Sequence, residues 1–171
     1  MKPPDRIVIV GLGLIGGSLA AACRKKFPRA EIIGITRNKS ALNKAKKRGW
    51  IDEGFQKLDH AFVGARLTRL YRTRGRVAPS GAMNDAPTFV ILCTPVDTFK
   101  NYLRRLDPIA PAGTVVTDAG SVKGFLVRWA GRRKWKRIQF VGAHPMAGSH
   151  ERGIDAADPQ CTGPSDNDES S

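Results

Sequence analysis

The sequence of 171 residues contains few cysteines and no long apolar run. The cysteines Cys23, Cys93 and Cys161 are far apart and odd in number, which argues against a zinc site or a disulfide framework. No run of about 18 apolar residues is present, so no membrane span is expected. Residues 1–5 lack the apolar stretch of a signal peptide. These absences predict a reduced, cytoplasmic protein without a metal site.

Negative charge is also scarce, with 15 Asp and Glu against 29 Lys and Arg, for a formal net charge of +14. The basic residues form no single motif, because they are spread over residues 44–48, 66–76 and 132–137. A surface of this charge attracts nucleic acid, or alternatively the phosphates of a cofactor and anionic metabolites. Since the charges are dispersed, we favour a small-molecule partner over a nucleic acid.

The most informative segment that is present is a glycine-rich turn after an apolar run. Residues 7–10 read Ile-Val-Ile-Val, and Gly11, Gly13 and Gly16 complete the pattern G-x-G-x-x-G. The first glycine permits a tight turn, the second admits a pyrophosphate, and the third allows close packing of helix on sheet. Free N–H groups at the start of the helix would face the phosphate charge. The segment predicts a dinucleotide site formed by Gly11, Gly13, Leu14, Ile15 and Gly16.

Strand-like apolar runs alternate with helix-like segments along the chain. The predicted strands cover residues 6–10, 31–36, 88–93, 114–117 and 138–142, and the predicted helices cover residues 14–26, 40–48, 97–106 and 122–133. The third helix is expected to stop before Pro108. This alternation predicts a Rossmann-type, doubly wound, mainly parallel sheet with helices on both faces.

The predicted domain covers residues 1–158, which is long enough to bury a core. Residues 57–86 contain many arginines and few periodic apolar positions, and they predict an irregular basic insert. Residues 159–171 are polar and acidic at their end, and they predict a disordered tail.

The end of the second strand bears on the choice of cofactor. An acidic residue about 20 positions after the glycines binds the ribose 2′-hydroxyl of NAD. Here that position holds Thr36, and Arg37 follows it. A hydroxyl and a guanidinium suit a 2′-phosphate, which a carboxylate would repel. These residues favour NADP over NAD, although Arg37 could also occupy a solvated turn.

Three further motifs follow the ends of predicted strands: C-T-P-V at 93–96, D-A-G-S-V-K at 118–123 and G-A-H-P-M-A-G-S at 142–149. In an open α/β sheet, ligands bind at this edge. His144 can act there as a general base near neutral pH. Ser121 can hydrogen-bond a substrate oxygen or cap a helix.

Together with the glycine turn, these motifs resemble the nucleotide-binding domain of the prephenate/arogenate dehydrogenase family. The resemblance covers residues 6–54 and 88–157, and it depends on the motifs occurring in this order. It implies NAD(P)-dependent oxidation of a cyclohexadienol ring with release of carbon dioxide, a step of tyrosine biosynthesis. The sequence does not separate prephenate from arogenate.

The resemblance also implies roles for individual residues. His144 matches the catalytic histidine of the family, which accepts the proton of the ring hydroxyl as hydride leaves the same carbon. Ser121 matches the serine beside that hydroxyl, and Thr94 and Pro95 match the loop that lines the nicotinamide. Lys123 could contact a ligand phosphate or carboxylate, or be solvated.

The resemblance ends near Ala157, whereas the family normally continues into a helical carboxy-terminal domain that forms the dimer and closes over the substrate. We therefore expect a chain without that domain, with a half-open site and weak or absent turnover. Its oligomeric state is open. Two other functions are compatible with the residues: a Rossmann reductase of the β-hydroxyacid dehydrogenase type, and a non-catalytic NADP-binding module or nucleic-acid-binding protein.

Overall fold

The computed structural model describes residues 3–59, 88–120, 124–143 and 153–157. Six strands form one sheet in the order β3-β2-β1-β4-β5-β6, and every neighbouring pair is parallel. The strands are β1 (Arg6–Val10), β2 (Glu31–Ile35), β3 (Glu53–Phe55), β4 (Thr88–Leu92), β5 (Thr114–Asp118) and β6 (Ile138–Phe140). The helices are α1 (Leu14–Lys26), α2 (Lys39–Lys47), α3 (Phe99–Ile109) and α4 (Gly124–Gly131), with short 3₁₀ turns at Val96–Thr98 and Ile154–Ala156.

Strand β1 lies at the centre of the sheet, and all five of its residues are buried. Val8 is paired with Ile33 of β2 on one side and with Val90 of β4 on the other. A strand covered on both faces needs a continuous apolar run rather than an alternating pattern. The β-branched run of residues 7–10 meets that requirement, which is why it forms the middle strand.

Helices cover both faces of the sheet, as predicted from the sequence. Side chains alternate between the faces of a strand, so Val8 and Val10 enter one core while Ile7 and Ile9 enter the other. The first core is closed by apolar residues of α3 and α4, and the second by those of α1 and α2. The helical residues concerned are Leu103, Leu106 and Leu126 on one face and Ala20, Leu42 and Ala45 on the other.

The predicted end of the third helix is wrong, because α3 continues through Pro108 to Ile109. A proline in the last turn forfeits one helical hydrogen bond. The turn is nevertheless closed by the N–H of Ala110, which donates to the carbonyl of Leu106 at 2.8 Å. Leu106 and Ala110 are both fully buried, so packing on the sheet stabilises the additional turn.

Strand β3 was not predicted, because its residues have little intrinsic preference for a strand. It comprises only Glu53, Gly54 and Phe55 at the edge of the sheet, paired with β2. Glu and Gly are both depleted in strands. A Cβ added at Gly54 would lie 2.9 Å from Cδ2 of Leu42, so the glycine is needed for α2 to pack close to the strand. The strand is therefore a product of tertiary packing.

Leu58, within the basic insert predicted for about residues 57–86, is only 2 % exposed and belongs to the core under α3 and α4. Residues 60–86 of the insert and the predicted tail at 159–171 lie outside the described residues. Among the residues that are described, no helix has both the length and the apolar character needed to cross a bilayer.

Replacing Leu103 by alanine should lower the free energy of unfolding by about 2–5 kcal/mol, because this fully buried side chain joins α3 to the sheet. The matched control is Ile109→Ala on the same helix, where 37 % of the side chain is exposed, and about 1 kcal/mol or less is expected. Urea denaturation followed by circular dichroism measures both. Equal losses would contradict the assignment of the core.

Candidate nucleotide-binding site

The carboxyl ends of all six strands lie at one edge of the sheet, because the strands are parallel. At this edge the N–H of Gly11 donates to the carbonyl of Ile35 at 2.7 Å, and the N–H of Cys93 donates to the carbonyl of Val10 at 2.7 Å. The turns after β1 and β4 are thus fixed to neighbouring strand ends. The chain order of the sheet reverses between β1 and β4, and such a switch point opens a crevice where ligands bind.

The three glycines of the turn have different structural roles. Gly11 has a φ of +98°, and a Cβ there would lie 2.6 Å from the carbonyl oxygen of Cys93. A Cβ at Gly16 would lie 1.8 Å from the carbonyl oxygen of Gly11. In contrast, no atom of the described residues comes within 4 Å of a Cβ added at Gly13. The fold requires the first and third glycines, whereas the second borders open space.

The start of α1 has the character of an anion site. Its N-cap residue is Gly13, which offers no side-chain oxygen to the N–H groups of the first turn. The first turn contains no acidic residue. The predicted residues Leu14 and Ile15 lie in this turn, where backbone N–H groups have no partner within the helix. Together with the helix dipole, these groups favour a bound negative charge.

A cavity of about 370 Å³ adjoins the turn, and its volume falls in the range of ligand pockets. Its wall brings together five of the predicted site residues: Gly11, Gly13, Thr36, Thr94 and Pro95. The Oγ1 atoms of Thr94 and Thr98 lie 2.8 Å apart, and the Thr98 hydroxyl donates to the carbonyl of Pro95 at 2.6 Å. These bonds hold the loop after β4 in a defined turn beside the glycines.

Other predicted residues are not part of this wall. Arg37 is exposed and does not line the cavity, although its carbonyl accepts a hydrogen bond from Nε2 of Gln56 at 2.9 Å. His144, Ser121 and Lys123 lie outside the described residues.

The sequence interpretation missed a second set of polar residues at the cavity: Asn38, Ser40, Lys44 and Asp155. The Asn38 side chain caps α2 by accepting the N–H of Ala41 at 3.2 Å. The ammonium group of Lys44 is hydrogen-bonded to the carboxylate of Asp155. This bond is the main reason that the pKa of Asp155 lies below its ordinary value. Spacing by four places Ser40 and Lys44 on one face of α2, but the sequence does not indicate that the site lies there.

The segment 153–157 forms one side of the cavity and is held by contacts with α1 and α2. Arg48 donates from Nη1 to the carbonyl of Ile154 at 3.0 Å, and the Ile154 side chain is buried in the core beneath α1 and α2. A Cβ at Gly17 would lie 2.8 Å from the Cβ of Ala157, so a glycine is needed for this close approach. The segment is therefore part of the folded domain.

Cys93 lines the cavity but is unsuited to act as a nucleophile. Burial, together with smaller effects of Cys23 and Asp118, raises the pKa of its thiol to about 12. Because the thiolate is the reactive form, this residue stays protonated and inert at neutral pH. The arrangement favours binding of an anionic ligand over covalent catalysis by cysteine.

The family profile "Prephenate dehydrogenase, nucleotide-binding domain" matches residues 75–161. The chain belongs to the prephenate dehydrogenase family. The resemblance inferred from the motifs is confirmed, and the family match favours this assignment over the β-hydroxyacid dehydrogenase alternative.

Individual members of the family support the match along most of the chain. Prephenate dehydrogenase of Bacillus subtilis is 37% identical over 157 residues, which are 90% of this chain and 36% of the relative. The enzyme of Lactococcus lactis is 32% identical over 155 residues, covering 90% of this chain and 37% of the relative. The chain therefore spans little more than a third of these two dehydrogenases.

Solved structures of relatives have the same fold. Prephenate dehydrogenase of A. aeolicus, in complex with hydroxyphenyl propionate and NAD+, matches with a TM-score of 0.74 and 30% identity over 94% of this chain and 48% of that one. Arogenate dehydrogenase of Synechocystis matches with a TM-score of 0.63 and 32% identity over 90% of this chain and 45% of that one. The predicted Rossmann-type fold is confirmed.

The glycine turn allows a direct test of the geometry. Gly16→Ala should destabilise the chain by at least about 2 kcal/mol, because the new methyl group would overlap the carbonyl of Gly11. Gly13→Ala is the control, with a loss of about 1 kcal/mol or less, since only open space and a weaker N-cap are involved. Thermal and urea unfolding of both variants measures the difference. A Gly16→Ala variant as stable as the Gly13→Ala variant would refute the packing described for this turn.

Proposed function

We propose that this chain is the nucleotide-binding part of an NAD(P)-dependent enzyme that oxidatively decarboxylates prephenate or arogenate. The observation that supports this most is the convergence of the glycine turn, the Thr94–Pro95 loop and the loops after β5 and β6 at one edge of the sheet. Membership of the family supplies the reaction class. The convergence supplies a place where a dinucleotide and a ring substrate can meet.

The residues present fit a nicotinamide dinucleotide. The uncapped first turn of α1 and the open space at Gly13 suit the diphosphate, while Thr36 at the end of β2 suits the adenosine ribose. Thr94 and Pro95 would line the nicotinamide. When bound, this group supplies the hydride acceptor, and the protein supplies its orientation.

The proposed chemistry requires one base. His144 would accept the proton of the ring hydroxyl as hydride departs from the same carbon, and Ser121 would hydrogen-bond that oxygen to orient the ring. The ring carboxylate leaves as carbon dioxide, and its bonding electrons complete the aromatic ring of the product. His144 follows Ala143, which lies just after β6 at the carboxyl edge of the sheet.

We further propose a preference for NADP over NAD. Thr36 takes the place of the acid that would repel a 2′-phosphate, and Lys44 adds a positive charge to the same side of the cavity. Asp155 is paired with Lys44, so a bound 2′-phosphate would replace this carboxylate as the partner of the ammonium group. Arg37 follows Thr36 directly, and its guanidinium would contribute to binding of the 2′-phosphate only if the side chain turned toward the ribose.

Substitution of Lys44 tests this preference. Lys44→Met should weaken NADP binding about tenfold, since a charge-assisted hydrogen bond contributes about 1.5–3 kcal/mol, and leave NAD binding nearly unchanged. The matched control is Lys47→Met, which removes the same charge from an exposed position of α2 that does not line the cavity. Calorimetric titration with both cofactors gives the affinities. If Lys44→Met and Lys47→Met lose the same NADP affinity, the effect of Lys44 is only general electrostatics and its proposed role is refuted. Equal affinity of the wild-type chain for NADP and NAD would refute the preference itself.

The proposed base is tested by substitution of His144. His144→Asn should lower cofactor reduction with prephenate or arogenate by a factor of about 10²–10⁴, the usual contribution of a general base, without weakening NADP binding. His150→Asn serves as control, because it removes an imidazole six positions further along the same segment. Assays with both substrates and both cofactors also identify the preferred pair. Unchanged turnover in the His144→Asn variant would remove this residue from the mechanism.

A further inference from the structure

Asp118 is a buried carboxylate whose two oxygen atoms bind two different loops. It ends β5 and is only 1 % exposed. Its Oδ2 accepts the N–H of Gly120 at 2.9 Å, and its Oδ1 accepts the N–H of Ala143 at 3.3 Å. A buried charge is costly unless such donors satisfy it. The carboxylate therefore constrains both loops wherever the domain is folded.

The two donors have particular positions in the chain. Gly120 immediately precedes Ser121, and Ala143 immediately precedes His144. Consecutive Cα atoms across a trans peptide are 3.8 Å apart. Asp118 thus holds the chain immediately before each of the two proposed site residues.

The loop after β5 also packs against the segment that follows β4. A Cβ added at Gly120 would lie 2.7 Å from Cγ2 of Val96 and 3.1 Å from Cε2 of Phe99. Val96 lies in the 3₁₀ turn that follows Thr94 and Pro95, and Phe99 is the first residue of α3. This packing leaves no room for a side chain at Gly120, so the start of the loop after β5 lies close against the segment that follows β4.

We propose that Asp118 is a positioning residue for the proposed reaction, because it holds the backbone at Gly120 and Ala143, the residues that precede Ser121 and His144 in the chain. The inference rests on the proposed function, in which these two residues act on one ring hydroxyl. Asp118 takes no proton from the substrate and acts only through the two loops. Its importance follows from geometry, since a misplacement of about 1 Å between reacting groups can lower a rate about 10²-fold.

Two substitutions and a control separate positioning from general stability. Asp118→Asn keeps the shape and one acceptor oxygen, but its NH₂ group would face one of the two N–H donors. Asp118→Ala removes both acceptors. Thr114→Val is the matched control, because Thr114 is an equally buried residue at the other end of β5, where its hydroxyl donates to the carbonyl of Pro111 at 2.7 Å.

The first measurement is amide hydrogen exchange and needs no turnover. In Asp118→Asn, exchange of the Gly120 or Ala143 amide should accelerate about tenfold relative to the strand amides, because a hydrogen bond to a charged acceptor is lost. Thr114→Val should leave both amides unchanged relative to the same strand amides. Unaltered protection at Gly120 and Ala143 in both Asp118 variants would overturn the proposal.

The second measurement is steady-state kinetics with NADP and the preferred substrate. The kcat should fall about tenfold in Asp118→Asn and about 10²-fold in Asp118→Ala, while the Kd for NADP stays within about twofold of wild type. Thr114→Val should lower the Tm without changing kcat. A fall in kcat that merely follows the loss of stability across all three variants would overturn the proposal.

The two measurements also separate this inference from the proposed function. If the wild-type chain binds NADP but reduces none with either substrate, the activity proposed for this chain fails. The exchange experiment then still decides whether Asp118 fixes the two loops. If turnover is normal in both Asp118 variants, the positioning role is refuted while the proposed function stands.

Discussion

The parallel pairing of β1 with β2 and β4 is the constraint on which the site depends. Because both faces of β1 are buried, residues 7–10 must be apolar throughout, and the direction of the strand determines where the next turn begins. Because the other strands are parallel to β1 as well, the loops that follow them begin at the same edge of the sheet. The cavity, the uncapped helix and the buried carboxylate of Asp118 all lie where these loops meet.

Close backbone contact links the stability of the domain to its capacity for binding. Gly11 and Gly16 allow the turn, the helix and the start of the loop after β4 to approach each other more closely than any side chain would permit. The same approach directs the first turn of α1 toward the cavity. Gly13 is free of this packing, so a single short motif contains residues required by the fold and a residue that is open to a ligand.

The sequence predicted those parts of the structure that depend on local pattern. β1 and α1 were predicted with the observed bounds, because a β-branched run followed by a glycine turn is compatible with few other secondary structures. Strand β3 and the last turn of α3 depend on packing against distant residues. Their own residues indicate other structures, since Glu and Gly are depleted in strands and Pro108 predicts the end of a helix. The pair of Lys44 and Asp155 joins residues 111 positions apart, so only the folded chain brings that carboxylate to the cofactor cavity.

We propose that a nicotinamide dinucleotide binds at the carboxyl edge of the sheet, between the glycine turn and the loops after β4 and β5. Titration of NADP into the isotope-labelled chain, followed by amide chemical shifts, tests it most directly. We expect saturable changes in the amide chemical shifts of Gly13, Thr94 and Gly120. The amide shifts of Ala30 and Gly113, at the amino edge of the sheet, should not change. Shifts at the amino edge, or shifts spread over the basic surface without saturation, would contradict it.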